Sequence, residues 1–120
     1  MDQMFITLVG FNNHHGHKVF KIGSIIKLVK EPDNIHDLEA IACEMRHAGK
    51  VAYVANSTST VIKGTMSAGR LYDKITDNKD FAKVKFIGNH SIIAEVLSDD
   101  EIDELKKDPA SDINFLLADD

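Results

Sequence analysis

Two short stretches concentrate side chains that could do chemistry. The first, Glu31-Pro32-Asp33-Asn34-Ile35-His36-Asp37, sets three carboxylates, an amide and an imidazole between two apolar runs. The second, Phe11-Asn12-Asn13-His14-His15-Gly16-His17-Lys18, opens on an aromatic, carries three histidines in four residues and ends on a cation. Carboxylates can accept a proton or a hydroxyl hydrogen bond, and imidazoles can ligate a metal, shuttle a proton or offer a ring face.

Each of these chemistries makes a further demand on the sequence. A zinc site assembled from His14, His15, His17 and His36, with Asp37 and Cys43, would lack the paired cysteines or the H-E-x-x-H helix that usually bring such ligands together. The histidines are therefore expected to be solvated loop residues, with zinc a minor alternative and no cofactor required. Glu31, Asp33 and Asp37 could pose as an acid–base pair, but nothing fixes their separation, and Asx residues beside a proline already have a reason to be there as turn formers. Gly64 and Gly69 enclose four residues like a phosphate-binding loop, yet Arg70 and Leu71 stand where Lys and Ser or Thr would be needed. No Gly-x-Ser-x-Gly elbow is present either. A binder is expected rather than an enzyme, with metal-dependent hydrolysis of nucleic acid or acid anhydrides as the last alternative.

Binding of single-stranded nucleic acid asks for ring faces to stack on bases, and for cations or amides to meet phosphate. Phe11, His14, His15, His36 and Tyr53 supply candidate faces, Asn12, Asn34 and Asn56 polar partners, and Lys18, Lys50, Lys63 and Arg70 candidate charges. Helix starts near Asn56 and Thr65 would add backbone N–H groups. The bland counterparts are solvation for each lysine and core packing for Tyr53.

Composition bounds these readings. A chain of 120 residues with 43% apolar and 28% charged residues is expected to form one soluble globular domain. The N-terminal apolar run is too short for a signal core or a membrane span, so a cytoplasmic protein without membrane contact is expected. The lone Cys43 sits in an apolar run and should be a buried thiol, and without an export signal the Asn56-Ser57-Thr58 sequon has no consequence. Net charge is −5, unevenly placed: residues 1–90 hold twelve Lys and Arg against nine Asp and Glu, whereas 91–120 hold two against ten. The body is thus mildly basic and the tail strongly acidic, so the overall charge does not exclude nucleic acid.

The elements that must position the two loops follow from periodicity. Strands are expected at 5–9, 24–30, 40–46, 50–54, 82–87 and 91–97, with hairpin turns at His47-Ala48-Gly49 and Gly88-Asn89-His90. Residues 19–20 are expected as a short strand or a lid. A helical turn is expected at 58–62, a second helix from Thr65 or Ser67 to Ile75 closed by Asp77-Asn78, and a capping-box helix from Ser98 stopped by Pro109. The apolar residues of 113–117 should dock on the body or on another chain. Hairpins this short exclude parallel crossovers, so the fold class is mainly β: a partly closed antiparallel barrel of about six strands with two inserted helices and a C-terminal acidic helix.

Three strings carry a resemblance: Leu-Val-Gly-Phe at 8–11, Lys-Leu-Val-Lys-Glu-Pro-Asp-Asn-x-His-Asp-x-x-Ala-Ile at 27–41, and Gly-Lys-Val-Ala-Tyr-Val at 49–54. Together they resemble the HIRAN domain family over residues 4–97, and Ser-Ala-Gly-Arg-Leu-Tyr-Asp-Lys-Ile at 67–75 looks like the helix of its small stand-alone bacterial members. The resemblance implies a 1–97 barrel of OB-like fold followed by a 98–120 acidic helical tail, and a role in DNA repair or processing through single-stranded DNA or a free 3′ end. It implies that His36 and Asp37 hold the terminal nucleotide and its 3′-hydroxyl, that Phe11 to His14 clasp the end, and that Tyr53 meets phosphate. His36 stands where the family often has tyrosine, and Ile35 where it often has proline, so a smaller stacking face and a pH-dependent affinity are expected. The implied partners are DNA and a helicase or nuclease. The competing expectation is a protein-interaction module or homodimer built on the 113–117 patch.

Overall fold

The structure is a computed structural model and describes residues 3–75 and 80–118. Six strands, β1 (Phe5–Val9), β2 (Ile25–Lys30), β3 (Ile41–Met45), β4 (Gly49–Val54), β5 (Asp80–Ile87) and β6 (Ile92–Val96), pair antiparallel throughout in the ring order β1-β4-β3-β2-β5-β6. The mainly β, OB-like barrel expected from the sequence is present, and its ring is complete rather than partly closed. β1 closes it by pairing β4 through Leu8↔Val54 and β6 from Phe5↔Glu95 to Leu8↔Ile92. Closure removes the exposed strand edges that an open sheet would offer to other chains.

Inside the barrel, Ile6, Leu8, Ile26, Leu28, Ile41, Cys43, Ala52, Val54, Val84 and Ile92 form one buried core. The period of two along each strand sends these residues inward and their neighbours outward. Burial pushes the Cys43 thiol far up, which leaves it protonated and inert as expected.

β2 is buried on both faces, and the outer one is covered by the acidic tail. That tail is two helices, α2 (Asp99–Lys106) and α3 (Asp112–Ala118), where the sequence suggested one helix and an apolar end. Ser98 and Glu101 form the expected capping box of α2, and the Glu101 carboxyl is held below its usual range by hydrogen bonds from Ser98. Ile102, Ile113 and Leu116 pack on Ile25, Phe81 and Leu97 in a second buried cluster. Lys27, 3% exposed, threads beneath α3 and its Nζ donates to the Leu116 carbonyl at 3.2 Å, a cation at a helix C-terminus. The 113–117 patch therefore docks on the body. Phe115 alone among its large side chains stays well exposed, with the Arg46 guanidinium 3.3 Å from its ring centroid.

Three local expectations are corrected or narrowed. Of the two inserted helices expected, the first is no more than the expected turn at 58–62, with Val61 N donating to Ser57 O before the chain turns at Gly64 and Thr65 Oγ1 donates to Ile62 O. The next helix, α1, is confined to Ala68–Tyr72 and capped by Ser67; the closing pair Asp77-Asn78 lies outside the described residues. Of the two alternatives for 19–20, the short strand is absent, since residues 17–19 form a 3-10 turn, and Phe20 instead packs down on the core, buried edge-on against Phe11. Among the described residues no helix is long and apolar enough to cross a membrane.

Candidate functional site

The loop between β2 and β3 is shaped by its own polar side chains. Asn34 N donates to Glu31 O, and Asn34 Oδ1 then accepts from His36 N at 2.9 Å and Asp37 N at 3.1 Å. Asp37 Oδ1 accepts from Glu39 N at 2.9 Å, and Glu31 N with Ala40 O ties the base of the loop together. Short Asx side chains thus supply the acceptors that a strand ladder would otherwise provide. The consequence is a fixed loop whose outward residues have no say in its conformation: Ile35 is 88% and Leu38 72% exposed.

This fixed loop forms one wall of a groove of about 380 Å³ on the outer wall of the barrel. Asn34, His36 and Asp37 come from the loop, Tyr53 from β4, and Asn56 from the segment after β4, over an apolar floor that includes Val9 and Ala40. Register explains the floor, because Val9 and Ala42 are the cross-strand partners of Tyr53 and so share its face. The second Asp37 oxygen accepts from Asn56 Nδ2 at 3.0 Å, and Asn56 Oδ1 accepts from Gly69 N at 2.8 Å, which ties the groove to α1. Gly69 permits that approach, since a Cβ there would lie 2.7 Å from Glu39 Oε1 and 3.2 Å from Asn56 Oδ1. Each Asp37 oxygen keeps lone-pair capacity for one more donor.

Tyr53 is oriented by charge. Its hydroxyl donates to Glu31 Oε1 at 2.8 Å and accepts from Lys50 Nζ at 2.9 Å, while Lys50 and Glu31 form an ion pair and Asn34 Nδ2 donates to the same Glu31 oxygen. Burial raises the Glu31 pKa, but hydrogen bonds from Lys50, Tyr53 and Asn34 outweigh it and hold the carboxyl below its usual range. Hydrogen bonds to Glu31 and Tyr53 raise Lys50 in turn. Lys50, a candidate phosphate cation by sequence, is therefore spent on the loop.

The first loop contributes less than its composition suggested. Phe11 is 3% exposed, packed in the core, and has no free face to stack on a base. Gly10, at φ 75°, turns the chain into a 3-10 turn that leaves Asn12 exposed and drives Phe11 inward. His14 leans on Tyr53 with ring centroids 6.2 Å apart but does not itself line the groove, whereas His15 Nε2 lies 3.0 Å from Ala48 O on the β3–β4 hairpin. His17 and Lys18 are exposed on the second 3-10 turn. His36 lines the groove on the other loop. Among the described residues no three His, Cys, Asp or Glu side chains converge as a metal site would require.

The amides expected from helix starts are also committed, with Gly69 N bonded to Asn56 and Arg70 N to Ser67. Sequence reasoning missed the apolar floor and the Ser57 and Thr60 rim of the groove. Val9 and Tyr53 meet only through the β1–β4 register, a pairing between strands separated by two others in sequence.

No family model matches the sequence, and no curated protein does. Among solved structures, the chain is similar to the HIRAN domain of human HLTF, at 21% identity and a TM-score of 0.54, over 88% of this chain and 87% of that one. With the closed ring of six antiparallel strands, that likeness establishes the fold of this chain as a HIRAN-type β-barrel.

Proposed function

We propose that this domain binds nucleic acid through the groove between the β2–β3 loop and β4, with single-stranded DNA bearing a free 3′ end as its ligand, and performs no catalysis of its own. The observation that carries the reading is the meeting of Asn34, His36, Asp37, Tyr53 and Asn56 around one groove with an apolar floor. An apolar floor and ring edges suit a nucleobase, and a carboxylate held by two neighbours suits a hydroxyl donor while repelling a phosphate. The HIRAN-type fold supports a DNA-processing context, in which a helicase or nuclease would be the partner protein.

The test compares a short single-stranded DNA ending in a 3′-hydroxyl with the same strand ending in a 3′-phosphate, at low salt, for the native chain and Asp37→Ala. A preference for the hydroxyl of about tenfold, lost in Asp37→Ala, is the expected outcome for one charge-assisted hydrogen bond. Equal affinity for both ends would remove end recognition and leave general strand binding. Absence of binding to either strand would remove the nucleic-acid reading altogether. The alternative of a dimer built on the 113–117 patch draws no support from the packing, because Ile113 and Leu116 are already buried against the barrel of their own chain.

A further inference from the structure

The groove that holds Asp37 does not end at Asn56. Asn56 also lines a second groove of about 340 Å³, shared with Thr58, Val61, Thr65, Ser67 and Arg70, and Thr65 and Arg70 lead on to a third of about 260 Å³ bordered by Gln3 and Gly64. The first and second grooves are chemically opposite. The first is lined by the Asp37 carboxylate and by no Lys or Arg, whereas the second is lined by Arg70, by three hydroxyl side chains and by no carboxylate.

Arg70, like the exposed Lys18 and Lys63, differs from the cations that are engaged by the fold. Lys50 is paired with Glu31, Lys30 lies 4.4 Å from the ring centroid of Tyr72, and Arg46 is bound to Asp112. The Arg70 guanidinium, by contrast, has no ion-pair or ring partner among the described residues and is exposed. Among the described residues its cationic fork is not used by the fold.

From this juxtaposition we infer that the second groove is a phosphodiester subsite, in which Arg70 with the Thr58 and Ser67 hydroxyls receives a backbone phosphate on the 5′ side of the terminal dinucleotide whose 3′ end lies at Asp37. The inference rests on the nucleic-acid reading above and adds a direction to it, with the strand running from Arg70 past Asn56 to Asp37. Guanidinium and hydroxyl donors match the acceptor oxygens of a phosphodiester, and a groove without carboxylates does not repel it.

The experiment measures binding of oligothymidylate across a salt series, with a long strand and a dinucleotide, for the native chain, Arg70→Gln, Arg70→Lys and Asp37→Ala. Arg70→Gln is expected to weaken the long strand about tenfold and to reduce the slope of log affinity against log salt by about 0.7, the value for one lost phosphate contact on a single strand. Dinucleotide affinity and the 3′-hydroxyl preference should be unchanged in that variant, and Arg70→Lys should retain the slope. An unchanged slope in Arg70→Gln, with end preference still lost in Asp37→Ala, overturns the subsite and leaves the binding reading standing. Equal loss for the dinucleotide and the long strand also overturns it, because Arg70 would then serve the first groove. No binding by the native chain overturns both.

Discussion

The two lysines Lys27 and Lys50 flank Glu44 across neighbouring strands, yet they show how differently the two outer regions they enter are built. Lys27 lies beneath α3, nearly free of solvent, with its ammonium on a helix carbonyl, in a region where Ile25, Phe81, Leu97, Ile102, Ile113 and Leu116 exclude water. Lys50 stands in a half-open network with Glu31 and Tyr53 beside a groove, and the neighbouring loop leaves Ile35 and Leu38 in water. Under α3, polar groups are buried so that an apolar seam can close. At the groove, polar groups are spent on one another so that a surface can stay open and fixed. The first arrangement stabilises the chain through burial, and the second holds a shape with little burial to support it.

The contrast is broken most severely by Phe81→Ala. Phe81 is fully buried in the seam, so its truncation is expected to cost about 3–5 kcal/mol, read by urea denaturation. Strand affinity per folded molecule should be unaffected. A loss under about 1 kcal/mol would mean that the seam under α2 and α3 contributes little to the fold.

A smaller effect should follow acidification at the groove. The folded-state pKa of Glu31 is lowered below its ordinary 4.5, so its carboxylate contributes stability above that value, and the contribution is lost as pH falls through the folded pKa. The folded-state pKa of Lys50 is raised above 10.5, so its contribution is complete below that value and fades as pH climbs through the raised pKa. Between these limits the network is intact. Because both groups are partly solvated, Glu31→Gln should cost under about 1 kcal/mol at neutral pH. It should also remove the change in Tyr53 ring signals that the native chain is expected to show by NMR on acidification. Persistence of that acid transition in Glu31→Gln would assign it to another group.

The smallest change concerns the β3–β4 turn, outside both regions. His47 has φ 69°, the one positive value among non-glycine described residues, and is followed by Gly49 at 67°. His47→Gly should relieve the left-handed strain and raise stability by up to about 1 kcal/mol, offset in part by the greater freedom of glycine in the unfolded chain. Thermal unfolding would register it, and a drop in melting temperature would show that His47 makes a contact worth more than the strain.

Much of the barrel was legible because strand signals are local. Alternating and β-branched runs, Gly49 and Gly88 at the hairpins, and the Ser98–Glu101 capping box all act within a few residues of themselves. The 27–41 string likewise determined its loop, since Asn34 and Asp37 bond the backbone two or three residues away. Non-local pairing was a different matter. Closure of the ring through β1 and β6 and the burial of Phe11 were decided by contacts between residues far apart in the chain, as was the capture of Lys50 by Glu31. Composition gave Phe11 and Lys50 as a stacking face and a phosphate cation, and packing assigned both to the fold. The sequence by itself determined which residue types crowd the two loops and how the central loop turns, because those are short-range hydrogen-bond preferences. Only the tertiary structure decided which of these side chains share a groove, because strand register and ring closure place Val9, Tyr53, Asp37, Asn56 and Arg70 along one surface.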